Sequence, residues 1–255
     1  MKKRTIIIIL AVIIVICIIC GLYTNANSLE NKEIAFLGDS IMSGYGNDDK
    51  SFDYYMKSYI EGGKFVNNSR GGSTITENTG NDEIVIKKQV ESLGGNPDLI
   101  VFNGGVNDII GYGLGFLSND KKLEIGVVDE KTLEVSDRNT VLGNFEDTLN
   151  TMKEKFPQAK ICYASILLID EEMLGNITVD ESKKPDIRER RDAFFKGAEL
   201  LCKKHGVYYA DLTHLFVDHN EQYRQSDWIH MSAVGYEKVT PFLYKHIKNI
   251  KFPLF

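Results

Sequence analysis

Five short apolar runs alternate along this chain with longer stretches of helical periodicity. The runs predict strands at about 33–37 (EIAFL), 64–67 (KFVN), 98–103 (DLIVFN), 160–166 (KICYASI) and 207–212 (VYYADL). Between them the pattern predicts helices at about 50–61, 82–93, 143–156, 187–205 and 232–249. The third run is unbroken in apolar residues, as expected for a strand buried on both faces. Alternation of this kind predicts an α/β domain with a parallel sheet covered by helices on both sides. Right-handed crossovers make it doubly wound. Ligands of such sheets bind beyond the carboxyl ends of the strands, so chemistry is sought just after each one. Two long connections, about 111–142 and 167–186, are expected to line the rim of that site.

A chain of 255 residues with 43 % apolar and 26 % charged content is ordinary for a globular protein. That composition excludes a disordered, collagen-like or disulfide-scaffold chain. The apolar residues are unevenly spread, however. Ile6 to Cys20 is an unbroken apolar run behind Lys2, Lys3 and Arg4, and it continues uncharged through Tyr23. As a helix, 18 residues span about 27 Å, close to the thickness of a bilayer core. Residues 1–27 therefore read as a signal peptide, cut near Ala26, or as an uncleaved anchor through residues 5–23. Either reading places residues 28–255 in the extracellular space or on the outer face of the plasma membrane. Three of the 30 basic residues and none of the 36 acidic ones lie in that leader, so the remainder carries -9 rather than -6. Such an acidic module disfavours nucleic acid as a partner. Cys17 and Cys20 belong to the leader, leaving Cys162 and Cys202. These read as buried thiols, with a single disulfide as the alternative. No cysteine or histidine spacing in the module suits a metal ion.

Four segments carry candidate chemistry. Gly38-Asp39-Ser40 follows the first strand. Ser40 there is either a nucleophile facing helix N-terminal amides or a helix cap. Gly71-Gly72 follows the second strand, as a turn or as a backbone N–H open to an oxyanion. Asn107, in Gly105-Val106-Asn107-Asp108, suits an Asx-turn or an oxyanion donor. Near the carboxyl terminus stands Asp227-Trp228-Ile229-His230, whose spacing lets the aspartate orient the histidine as a base. The other histidines, His205, His214, His219 and His246, lack such a setting. No G-x-G-x-x-G or P-loop motif supports a nucleotide site, and the serine does not sit in a G-x-S-x-G elbow.

In this order the four segments resemble the blocks of the SGNH (GDSL-type) hydrolases, over roughly residues 33–245. The resemblance implies a three-layer α/β/α, flavodoxin-like fold with five parallel strands in the order 2-1-3-4-5. It implies Ser40, Asp227 and His230 as the catalytic triad. The oxyanion hole would be Ser40, Gly72 and Asn107, with Gly71 the rival for the second place. It implies no metal and no cofactor. Trp228, between the catalytic pair, is expected to wall the acyl pocket. The activity expected is a serine esterase working through an acyl-enzyme. Short-acyl esters, O-acetyl groups on carbohydrate, are the first expectation. Gly113-Leu114-Gly115 and Asn139–Phe145 look like segments of secreted carbohydrate esterases. A lipid esterase or lysophospholipase is the alternative, and a non-catalytic binding module on the same fold is the third reading.

Overall fold

Side chains alternate across a strand, and in the central strands both sets are apolar. Ile34 and Phe36 point to one face of the first strand, Ala35 and Leu37 to the other, and all four are buried. The next strand inward repeats this, with Leu99 and Val101 opposed to Ile100 and Phe102. A sheet with two apolar faces needs a helical layer on each, and the computed structural model has both. It describes residues 12–15, 28–77, 82–115, 122–166, 168–216 and 220–252.

The strands are β1 (Glu33–Leu37), β2 (Lys64–Asn67), β3 (Leu99–Phe102), β4 (Lys160–Ser165) and β5 (Tyr208–Asp211). They form one parallel sheet in the order β2-β1-β3-β4-β5. The three-layer α/β architecture expected from the sequence is therefore the one observed. Nine helices stand among the described residues of the domain: α1 (Ser40–Ser43), α2 (Phe52–Met56), α3 (Ile86–Ser92), α4 (Val106–Leu114), α5 (Val141–Lys155), α6 (Glu171–Asn176), α7 (Lys184–His205), α8 (Asn220–Tyr223) and α9 (Ala233–Ile247). Helices α1, α2 and α9 bury Ile41, Met42, Phe52, Met56, Tyr236 and Leu243 against one face. Helices α3, α4, α5 and α7 cover the other. Cys162 belongs to the first layer and Cys202 to the second. The sheet lies between them, and both are free thiols. Burial pushes the Cys162 thiol up to about 12.

The long connections differ from expectation. The glycine-rich stretch after β3 is helix α4, not loop, and all its residues from Val106 to Tyr112 are buried. Tertiary packing outweighs the poor helix propensity of glycine here. A Cβ on Gly113 would stand 3.3 Å from Ile187 on α7, so the glycine lets the two helices approach closely. Nor do residues 127–136 line the rim. They run along α7 toward its carboxyl end, where Glu134 pairs with Lys204 at 2.9 Å and Glu130 pairs with Lys196. The second connection is partly ordered into α6 and does lie beside the carboxyl-end loops, through Asp170. Of the leader, only residues 12–15 are described, as one exposed helical turn. The rest of segment 1–27 and His219 lie outside the described residues. Among the described residues no helix is long and apolar enough to cross a membrane.

Helices α5 and α7 are clamped by Glu146, whose side chain is 1 % exposed. Its Oε1 accepts hydrogen bonds from Lys204 at 2.8 Å and His205 at 2.9 Å, and Arg138 approaches Oε2. Burial alone would raise its pKa. The bonds from Lys204 and His205, then the charges of Arg138 and Lys204, hold it below the ordinary glutamate value. A carboxyl depressed on folding stabilises the native state above its unfolded pKa, and that contribution is lost as pH falls through the folded value. Glu146→Gln should therefore lower Tm at pH 7 by the equivalent of about 1–3 kcal/mol. The loss should shrink as pH drops below the ordinary glutamate range. A Tm difference that stays constant down to pH 3 would refute this account.

Candidate active site

The first strand ends at Gly38, whose φ is +147°. A Cβ there would stand 1.8 Å from Asn103 Oδ1, so only glycine lets the chains after β1 and β3 meet. Asn103 then fixes the next residue: its Nδ2 donates to Asp39 Oδ1 at 2.9 Å, and its Oδ1 accepts from the Asp39 N–H at 3.3 Å. Gln89 binds Gly38 on both sides, accepting its N–H and donating to its carbonyl, each at 2.8 Å. Asp39 is the N-cap of α1, with Oδ1 accepting from the Ile41 N–H at 2.9 Å. This rules out the capping reading of Ser40. The cap is Asp39, and Ser40 is the first helical residue, 7 % exposed. Its hydroxyl makes no hydrogen bond among the described residues. Burial pushes the Asp39 carboxyl up, against the Asn103 bond and the Ile41 N–H.

The two glycines after β2 form a tight turn. The Arg70 N–H binds the Gly38 carbonyl at 3.0 Å, and the Ser73 N–H closes back on Arg70 at 3.3 Å. Gly72 has φ +78°, the i+2 position of a type II turn, where glycine is favoured. A Cβ on Gly71 would lie 3.9 Å from Ser40 Cβ. The Gly72 N–H belongs to the peptide between the two glycines, so both residues shape the one peptide that could offer a donor there. Asn107 lies in the first turn of α4, 5 % exposed, and its Nδ2 donates to the Ser73 carbonyl at 2.8 Å. The next residue, Asp108, accepts the N–H groups of Ile75 and Thr76, each at 2.9 Å. Block by block, α4 thus holds the turn after β2. Burial raises the Asp108 pKa, opposed by those two N–H groups.

Asp227 and His230 are brought together. Asp227 Oδ2 lies 2.7 Å from His230 Nδ1, and Oδ1 accepts the N–H groups of Ile229 and His230 at 3.0 Å each. A carboxylate only accepts, so Nδ1 carries the proton and Nε2 is left as the acceptor of the neutral ring. Partial burial would raise the Asp227 pKa, but the His230 ring and the two N–H groups hold it below the ordinary aspartate range. Trp228 is half-buried at the bend of this loop, with φ +64°. That conformation costs a bulky side chain on the order of 1–3 kcal/mol. Its ring packs on the core layer under α4 and α7.

Ser40 and His230 are not hydrogen-bonded to each other, but their loops are stitched together. Tyr45 donates its N–H to the Ser40 carbonyl at 3.1 Å and places its ring 4.6 Å from that of His230. Gln225 Nε2 donates to the carbonyls of Tyr45 and Met231 at 2.8 and 2.9 Å. Tyr236 of α9 donates its hydroxyl to the Ile41 carbonyl at 2.5 Å. Tyr45, Gln89, Asn103, Asp108, Arg224 and Gln225 were not singled out in the sequence. Of these, only Asn103, which ends the third apolar run, and Asp108, which ends the Gly105–Asp108 segment, carried a signal there. No group of three histidine, cysteine, aspartate or glutamate side chains among the described residues is arranged to hold a metal ion.

A serine hydroxyl and an aspartate-bound imidazole thus stand on neighbouring loops at the carboxyl ends of a 2-1-3-4-5 parallel sheet. Residues 36–238 match the model of the GDSL-like lipase/acylhydrolase family, and the chain belongs to that family of esterases and acylhydrolases. Solved structures share its fold at low identity. A protein described as a GDSL-like lipase from Parabacteroides merdae is 17 % identical with a TM-score of 0.59, over 88 % of this chain and 99 % of that one. Axe2, an acetylxylan esterase from Geobacillus stearothermophilus, is 12 % identical with a TM-score of 0.56, over 88 % and 97 %. LAE5, an alpha/beta hydrolase enzyme from the metagenome of Lake Arreo, is 14 % identical with a TM-score of 0.58, over 87 % and 97 %. No curated protein matches by sequence.

Proposed function

We propose that the protein hydrolyses short-acyl carboxylic esters, O-acetyl groups on carbohydrate above all, with Ser40, Asp227 and His230 as its triad. The observation that carries this is the Asp227–His230 pair, which leaves Nε2 free on the loop tied to the Ser40 turn. Ser40 Oγ attacks the ester carbonyl carbon while His230 Nε2 takes its proton, and Asp227 stabilises the imidazolium. The N–H groups of Ser40 and Gly72 and the Asn107 amide hold the oxyanion. The intermediate collapses as His230 returns the proton to the leaving alcohol. Water, deprotonated by His230, then attacks the acyl-serine, and the free acid leaves with Ser40 restored.

Two observations support the acetyl and carbohydrate parts. An acetylxylan esterase is among the structures of similar fold. The site itself is open and polar: Tyr45 is 55 % exposed, and Arg70 to Gly72 and Asp227 are exposed. Trp228 is proposed to contact the acyl group. Export or anchoring by residues 1–27, and hence an extracellular site, is proposed from the sequence of that segment.

The test is an ester panel of increasing acyl length, with acetylated oligosaccharides and lysophospholipid, using Ser40→Ala as the blank. Activity on acetyl esters that vanishes by octanoyl supports the proposal. The reverse pattern replaces it with a lipid esterase. No turnover and no labelling by a fluorophosphonate probe would leave a binding module. Asn107→Ala should lower kcat by about 100- to 1,000-fold. Asn107→Asp loses both bonds, since Asn107 also donates to the Ser73 carbonyl, and a thermal melt reads that second loss separately. That variant keeps the volume but replaces donors with acceptors, and it should be no better than the alanine. Activity of either variant near wild type would remove Asn107 from the oxyanion hole.

A further inference from the structure

Arg224 is 4 % exposed, yet it lies beneath the exposed Asp227. Its Nη1 donates to the Trp228 carbonyl at 2.9 Å and to the Leu168 carbonyl at 2.5 Å. Its Nη2 donates to Asp170 Oδ2 at 2.5 Å. The guanidinium lies over the Phe216 ring, 5.9 Å from its centre. Asp170 is itself fixed, because its other oxygen caps α6 by accepting the Met173 N–H at 2.8 Å.

The Trp228 carbonyl and the Ile229 N–H are the two ends of one planar peptide. Arg224 holds the carbonyl end, and Asp227 Oδ1 accepts the N–H end at 3.0 Å. That peptide follows Trp228, whose left-handed backbone is the strained point of the loop. Main-chain bonds pin the flanks of the loop, Gln225 N–H to the His230 carbonyl and Ser232 N–H to the Tyr223 carbonyl. A third, Trp228 N–H to the Gln225 carbonyl at 3.0 Å, holds the peptide before Trp228 but not the one after it. The only side chain among the described residues that grips the tip from below is Arg224.

We propose that Arg224 is a positioning residue. It carries the orientation of the loop after β4, through Asp170, to the peptide that aims Asp227 and so His230. The inference rests on the triad proposed above. It also gives the connection after β4 a role in catalysis without any contact with substrate.

Arg224→Met, Arg224→Lys and Asp170→Asn test it in the full chain, on an ester the wild type cleaves. Arg224→Met should lower kcat by about 100-fold, the scale of a small misplacement of reacting groups, with KM little changed. Arg224→Lys, which can still donate to the Trp228 carbonyl, should recover part of that loss. Asp170→Asn can keep the α6 cap but loses an acceptor for Arg224, and its kcat should fall in the same direction. The low-field proton resonance of His230 Nδ1–H should broaden or vanish in Arg224→Met while the protein stays folded. A folded Arg224→Met with wild-type kcat and a sharp resonance overturns the proposal. So does a kcat loss that only tracks the unfolded fraction. If Arg224→Met does not fold, wild-type kcat and resonance in Asp170→Asn overturn it. The resonance reports on Arg224 even if no ester is cleaved, so failure of the esterase reading is distinguishable.

Discussion

Ser40→Ala should abolish turnover, lowering kcat roughly a millionfold as loss of a nucleophile does in serine hydrolases, with the fold unchanged. The second half of this expectation is structural. Asp39, not Ser40, caps α1, and the Asp39 bond to the Ile41 N–H does not involve the serine side chain. The backbone of Ser40 keeps its own bonds from Tyr45 and Ser43. Removing one hydroxyl that has no hydrogen-bond partner among the described residues should therefore leave Tm within a few degrees of wild type. Kinetics on a chromogenic acetate ester and a thermal melt check both halves. Substantial activity in a clean preparation of the variant would end the assignment of Ser40.

Asp227→Asn should lower kcat by about four orders of magnitude, as loss of the orienting carboxylate does in triad enzymes. The geometry explains why an isosteric change costs so much. Asp227 accepts three N–H groups, from Ile229, His230 and the His230 ring. An asparagine has one oxygen to offer. If that oxygen keeps the two backbone N–H groups, its NH2 faces the ring. Nδ1 must then become the acceptor, which puts the proton on Nε2, where the base is needed. If the oxygen faces the ring, the NH2 meets two backbone donors and the loop must open. A kcat within tenfold of wild type would show that Asp227 does not set the tautomer. The measurement belongs on the plateau of the pH profile, so that a shifted limb is not read as a lost rate.

Much of this fold is legible in the residues because the signals are local. The apolar runs at 33–37, 64–67, 98–103, 160–166 and 207–212 mark all five strands to within a residue or two. The alternation with helices leaves few arrangements of a parallel sheet. Helix α4 was missed because Gly111, Gly113 and Gly115 read as loop, and only its burial against α7 shows why a helix survives there. The Asp–His pair was legible because both partners sit on one loop, three residues apart. Arg224 was not, because its partners Leu168 and Asp170 are more than 50 positions away.

The sequence by itself determined the parallel α/β architecture and singled out the four candidate segments and their order. Periodicity, glycine and short-range spacing report on backbone conformation within a few residues, and that is enough for each of those. Only the tertiary structure decided that Asp39 rather than Ser40 caps α1. It alone brought the Gly71-Gly72 turn beside the serine. It placed Cys162 and Cys202 on opposite faces of the sheet, beyond any disulfide. It also set a buried arginine behind the Asp–His loop. Each of these turns on which oxygen or N–H meets which partner across a sheet edge or a loop. Such pairings are chosen by how the layers close on one another, because a buried polar group must find its partner wherever the packing brings one.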